Sequence, residues 1–207
     1  MKLYYAPNTI SIVVAITLHE AGLDYDPVLV DFAKREQAEP EFVAINPKAR
    51  VPALVTPQGV LTETGALQDY IAAIAPEAGL VPADPVQAAR MREVMYYLAS
   101  TMHVNHAHRM RGSRWATQES SFADMQAKVP ETMNASCAYI EAHGLEGPYV
   151  LGTQFSLADP YLYVVSAWLK GDGVEISDYP KLAAFRAAMR TRPSVQHVLD
   201  AGMLVDS

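Results

Sequence analysis

The sequence predicts an α/β segment followed by an all-helical one: a βαβ-ββα arrangement over residues 1–79, a linker at 80–86 and helices from 87 to 207. Three observations carry this reading. Short apolar runs broken by Gly and Pro turns fill the first 79 residues; two prolines without periodicity mark Leu80-Val81-Pro82-Ala83-Asp84-Pro85; beyond them apolar residues recur only at helical spacing. With 207 residues, half of them apolar and 19% charged, the chain has ample material for a buried core.

Leu3 to Tyr5 form a short strand stopped by Pro7, and Ser11 stands where it can cap a helix running from Ile12 to Gly22. Tyr25 to Asp31 is an extended run whose Pro27 suits an edge, and parallel pairing with the first strand completes a right-handed βαβ unit. After the polar stretch Lys34 to Glu41, Val51–Val55 and Val60–Thr62 flank Thr56-Pro57-Gln58-Gly59, a hairpin with Gly in the turn. Leu67, Tyr70, Ile71 and Ile74 then mark a helix that begins near Thr64 and stops before Pro76. In the second part the helical sets are Met91, Val94, Met95 and Leu98; Val129, Met133 and Ile140; Leu162, Val165, Trp168 and Leu169; and Leu182, Phe185 and Met189. A last short helix runs from Val195 to about Ala201. Ser156-Leu157-Ala158-Asp159 reads as a capping box with Asp in place of the usual Glu or Gln.

Acidic residues outnumber basic ones 23 to 16, for a formal charge of -7. That balance argues against nucleic acid as a partner. Cys137, the one cysteine, sits in a helical pattern and reads as a buried structural thiol. The start lacks an uninterrupted apolar signal region, and no stretch approaches the ~18 apolar residues of a membrane span, so a cytoplasmic protein without membrane partners is expected.

The order and spacing of Met1-Lys2-Leu3-Tyr4-Tyr5-x-Pro7, Glu20-Ala21-Gly22-Leu23, Asn46-Pro47-Lys48, Val51-Pro52-Ala53-Leu54, Glu63-Thr64, Ser156-x-x-Asp159 and Arg192-Pro193-x-Val195 resemble the glutathione S-transferase family, most closely its bacterial beta-like branch. The resemblance covers almost the whole chain. It implies a thioredoxin-like N-terminal domain that holds glutathione, a helical domain that lines a second-substrate site, and a homodimer. It also implies a cis Pro52, with Val51 N–H and C=O pairing the cysteinyl backbone of glutathione as an added strand would. Thr64 opens a helix whose free N–H groups suit the γ-glutamyl carboxylate, while Glu63 meets the ammonium; without the resemblance the pair is simply a helix cap. Arg35 aligns with a basic position that meets the glycine carboxylate, or is a solvated charge.

A thiol with pKa near 8.5 is only about 3% ionised at pH 7, so such a site must stabilise a thiolate. The beta-like branch places a Cys where this chain has Ile10, which leaves Ser11, Thr9 and Asn8 as donors to sulfur. Ser11 is the first candidate, although helix capping is an equal use for it. His103 matches a His that faces the sulfur in that branch. His106 and Trp115, with Ile10, are candidates for the second-substrate site; of the three neighbouring histidines only His103 and His106 share a helical face, and no metal site is expected. The implied activity is attack of glutathione thiolate on a small apolar electrophile. Two alternatives are a glutathione-dependent disulfide reductase or peroxidase without a protein Cys, and a non-catalytic ligand-binding or interaction protein of the same fold.

Overall fold

The β-branched and aromatic residues of Lys2–Tyr5, Asp26–Leu29, Ala53–Thr56 and Gly59–Thr62 form strands β1 to β4 of one sheet, in the order β2-β1-β3-β4. The computed structural model that shows this describes residues 1–205. The chain divides into two compact units, one of Met1–Val81 joined by the segment from Arg190 onward, the other Pro82–Met189.

In the first unit β1 runs parallel to β2, with Leu3 opposite Pro27, and antiparallel to β3, with Tyr4 opposite Ala53. Pro27, which cannot donate to a ladder, lies on an outer strand as expected. The βα crossover is helix α1, Ile12–Glu20, whose residues Ile12 to Leu18 are all buried. Short helix α2, Pro40–Ile45, precedes β3, and α3, Thr64–Ile74, follows β4. The β3–β4 turn at Pro57-Gln58 is held by Thr56 Oγ1, which accepts from Gln58 N–H and donates to the Gly59 carbonyl.

The second unit is helical. Helix α4, Pro85–Tyr97, starts inside the stretch expected as a linker: Pro85 suits the first helical position, and the Asp84 carboxylate accepts from Gln87 N–H at 2.8 Å. A π-helical turn, Leu98–Met102, joins it to α5, His103–Ala107. Helix α6 spans Glu119–Tyr139, and α7, Ala158–Ser166, has every residue buried. Helix α8 is Pro180–Arg190. The expected box before α7 takes an altered form: Ser156 donates its hydroxyl to Asp159 instead of accepting from the helix. The buried Asp159 carboxylate also accepts from the N–H groups of Ser156 and Val150, both at 2.7 Å. One side chain thus ties the preceding loop to the helix start. No helix among the described residues is long and apolar enough to cross a membrane.

The final helix α9, Pro193–Asp200, packs on α1 in the first unit, whereas the sequence reading ran the helical part on to 207. A fork of bonds joins the two helices: Arg192 Nε and Nη2 donate to the two Glu20 carboxylate oxygens at 2.7 and 2.6 Å, and the Ser194 hydroxyl donates to one of them. Burial pushes the Glu20 carboxyl up, but hydrogen bonds from Arg192 and Ser194 and the Arg192 charge outweigh it and hold its pKa below the ordinary value. A depressed folded-state pKa means the stabilisation is complete above the unfolded carboxylate pKa of about 4.3 and is lost as pH falls through the folded value. Arg192→Ala should therefore cost about 2 kcal/mol at neutral pH, less than a fully buried pair. In urea unfolding from pH 7 to 3, its deficit against wild type should shrink toward the acid end.

Candidate active site

Because β1 and β3 are antiparallel, the C-terminal end of β1 lies beside the N-terminal end of β3. Antiparallel β4 then ends beside the start of β3, and parallel β2 ends beside the end of β1. The register Tyr4–Ala53–Thr62 therefore delivers four loops to one edge of the sheet: Ala6 to Ser11, Val30 to Arg35, Asn46 to Pro52, and Glu63-Thr64. Ala6, Val30, Phe42 and Val51 bury themselves against one another beneath these loops, with Tyr4 and Phe32 alongside. Asn8, Arg35, Ala49 and Glu63 are the four non-glycine residues of positive φ among those described, and each stands in one of the four loops. Unfavourable backbone of this kind costs about 1–3 kcal/mol a residue and concentrates at ligand sites.

The Val51-Pro52 bond is cis, and Val51 stands just ahead of β3 with its N–H and C=O unpaired among the described residues. Asn46 holds this loop: its amide donates to the Arg50 carbonyl at 2.5 Å and its carbonyl oxygen accepts from Lys48 N–H. At α3 no side chain caps the first turn, so the N–H groups of Thr64, Gly65 and Ala66 remain open, beside a Thr64 that is only 7% exposed. Glu63 forms an ion pair with Lys48, whose ammonium also donates to Thr62 Oγ1 at 2.7 Å. Both partners are solvent-exposed, so the pair is weak and readily exchanged for the charges of a ligand. Arg35 is exposed and its side chain has no partner among the described residues. Lys48 was not singled out as a functional residue, although its place in Asn46-Pro47-Lys48 was legible.

The first loop encloses Ser11. It occupies the capping position of α1 but makes no side-chain cap bond, and it has no exposed surface. Its hydroxyl accepts from Ala6 N–H, contacts the Ala6 carbonyl at 3.2 Å and meets Thr9 Oγ1 at 2.7 Å. Thr9 is the partly exposed hydroxyl, donating to the Ala6 carbonyl at 2.8 Å. The N–H groups of Thr9 and Ile10 find no acceptor among the described residues, and the Ile10 side chain is 8% exposed. Asn8 is engaged with the C-terminal segment, its N–H donating to Met203 and its side-chain oxygen accepting from Val205 N–H.

The remaining candidates lie in the helical unit. His103 and His106 both contact the Trp168 ring, at centroid distances of 5.1 and 4.2 Å, so the expected shared face exists. The Asp172 carboxylate, which sequence reading missed, accepts from His106 Nδ1 at 2.7 Å. Trp115 is half-exposed and packs edge-on to His108. No cluster that could hold a metal is found among the described residues.

Family models for the N-terminal and C-terminal domains of glutathione S-transferase match residues 1–73 and 106–201. Glutathione S-transferase GstA of Escherichia coli O157:H7 is 30% identical over 97% of this chain and 98% of its own. Among solved structures, a glutathione transferase homologue from Sulfitobacter with bound glutathione is 62% identical, covers 98% of each chain and superposes with a TM-score of 0.97. A beta-class glutathione S-transferase from Sphingomonas chungbukensis is 31% identical over 99% of this chain and all of its own, with a TM-score of 0.84. Two domain models in the expected order and relatives matched along their full length lead to one conclusion: the chain belongs to the glutathione S-transferase family and is a glutathione transferase.

Proposed function

We propose that the four loops at the sheet edge hold glutathione extended along β3 and that Thr9, with the N–H of Ile10, stabilises its thiolate for attack on a small apolar electrophile. The supporting observation is the set of unclaimed backbone groups: Val51 N–H and C=O for the cysteinyl unit, and the open first turn of α3 for the γ-glutamyl carboxylate. Glu63 takes the ammonium, and Arg35 with Lys48 supplies charge for the glycine carboxylate. To donate to sulfur the Thr9 hydroxyl turns from the Ala6 carbonyl, which Ser11 continues to satisfy, so Ser11 is a positioning residue. A hydrogen bond to a charged acceptor contributes about 1.5–3 kcal/mol, enough to lower a thiol pKa by roughly one to two units. His103, His106 and Trp115 are assigned to the electrophile's surroundings.

Thiolate absorbance of bound glutathione, followed across pH, tests this reading. The wild type should ionise glutathione below its free pKa, and Thr9→Val should return the midpoint upward by about one unit. An unchanged midpoint in Thr9→Val removes Thr9 from the mechanism.

Disulfide reduction through a protein thiol is not favoured. Ile10 occupies the loop, and burial, with the Asp172 and Glu141 carboxylates, pushes the Cys137 thiol up to about 12. Cys137 should therefore resist a thiol-specific disulfide reagent in the native protein and react only after denaturation, read as one equivalent of released chromophore.

A homodimer in the cytoplasm completes the proposal. Val60 and Leu61 on β4 and Ile74 on α3 leave apolar side chains 37–44% exposed on the first unit, surface that a second copy would cover. Light scattering on the eluting protein should give twice the 22.6 kDa chain mass; a mass of one chain overturns the dimer.

A further inference from the structure

His106 carries more geometry than a residue that merely lines a pocket. Its Nδ1 lies 2.7 Å from Oδ2 of Asp172, whose side chain has no exposed surface. Arg109 Nη1 reaches the other carboxylate oxygen at 3.5 Å and passes close to Gly171, where a Cβ would stand 2.3 Å from it. The imidazole is stacked on Trp168 at an interplanar angle of 22°. Charge, fork and stacking therefore fix the ring in one orientation.

The consequence falls on the opposite nitrogen. A carboxylate accepts only, so the neutral imidazole carries its proton at Nδ1 and presents the Nε2 lone pair on the opposite side. Nε2 has no hydrogen-bond partner among the described residues, while the side chain is 25% exposed. The titratable groups around the pair are Arg109, His103, with its ring centroid 6.5 Å from that of His106, and Cys137, whose thiol is raised partly by the Asp172 charge. His103 and Trp168 add flat aromatic surface beside the acceptor.

We infer that the helical unit recognises an aromatic compound bearing a hydroxyl group, which donates a hydrogen bond to His106 Nε2 while its ring lies against the Trp168 and His103 surface. This deepens the reading of the second substrate given above: the electrophile is apolar except for one donor that Nε2 selects. Asp172 acts through His106 and is a positioning residue.

The test compares 4-cresol, a phenol that stays protonated at neutral pH, with 4-methylanisole, the same ring with its hydroxyl methylated, by titration calorimetry on the whole chain. Wild type should bind the phenol about tenfold more tightly. His106→Asn places an amide nitrogen where Nδ1 stood, keeping the bond to Asp172 while deleting Nε2; it should lose the preference with its melting temperature preserved. In wild-type protein labelled with 15N at histidine, the phenol should shift the His106 Nε2 resonance and the anisole should not, a measurement independent of any variant. Equal affinities in wild type, no phenol binding, an unmoved Nε2 resonance or a preference that survives in His106→Asn each overturn the inference. Glutathione ionisation in the same wild-type samples is read separately, so its failure strikes the glutathione reading and not this one.

Discussion

The antiparallel pairing of β1 with β3 is the constraint from which the arrangement of the candidate site follows. With Tyr4 opposite Ala53 and Ala53 opposite Thr62, four chain segments far apart in sequence emerge at one edge of one sheet. A slip of one residue in that register would turn every side chain of β3 to the other face, taking the buried Ala53 and Leu54 out of the places they now fill. It would also move the unpaired groups of Val51 away from the first turn of α3. The small apolar cluster of Ala6, Val30, Phe42 and Val51 guards the register at that edge, because each of its members comes from a different part of the chain.

Much of this was legible in the sequence because its causes are local. Alternation and turn residues marked the four strands, helical spacing marked the longer helices, and Val51-Pro52 is the cis bond that the resemblance implies. What could not be read depends on where a side chain turns. Ser11 and Thr9 are both hydroxyls near a helix start; only the position of the Ala6 carbonyl buries one and leaves the other partly open. Asp172 lies 66 residues from His106, and nothing in Lys170-Gly171-Asp172-Gly173 announces a carboxylate placed beneath an imidazole. The box at Ser156 was visible as a pattern, yet the bond from Asp159 to Val150 required the preceding loop to fold back onto the helix.

Buried carboxylates are costly unless each oxygen is satisfied, and this fold uses them sparingly at places where two elements must hold one geometry. Asp159 joins a loop to α7, Glu20 joins α1 to α9, and Asp172 joins α5 to the turn after α7. The first two are closed on every side by backbone N–H groups or by Arg and Ser. The third is closed through an imidazole whose outer nitrogen stays open. That difference separates two carboxylates closed within the fold from one whose imidazole partner is partly open to solvent.

The bonds between Asn8 and the segment of Met203 and Val205 have a consequence for the order of events in synthesis. Asn8 and Val205 are 197 residues apart, so the loop carrying Thr9 gains these restraints only after residue 205 has been made. Domains ordinarily fold in turn as they leave the ribosome, yet here the first unit closes only after the helical unit has been made. These restraints on the loop of Thr9 are therefore among the last contacts of the first unit to form.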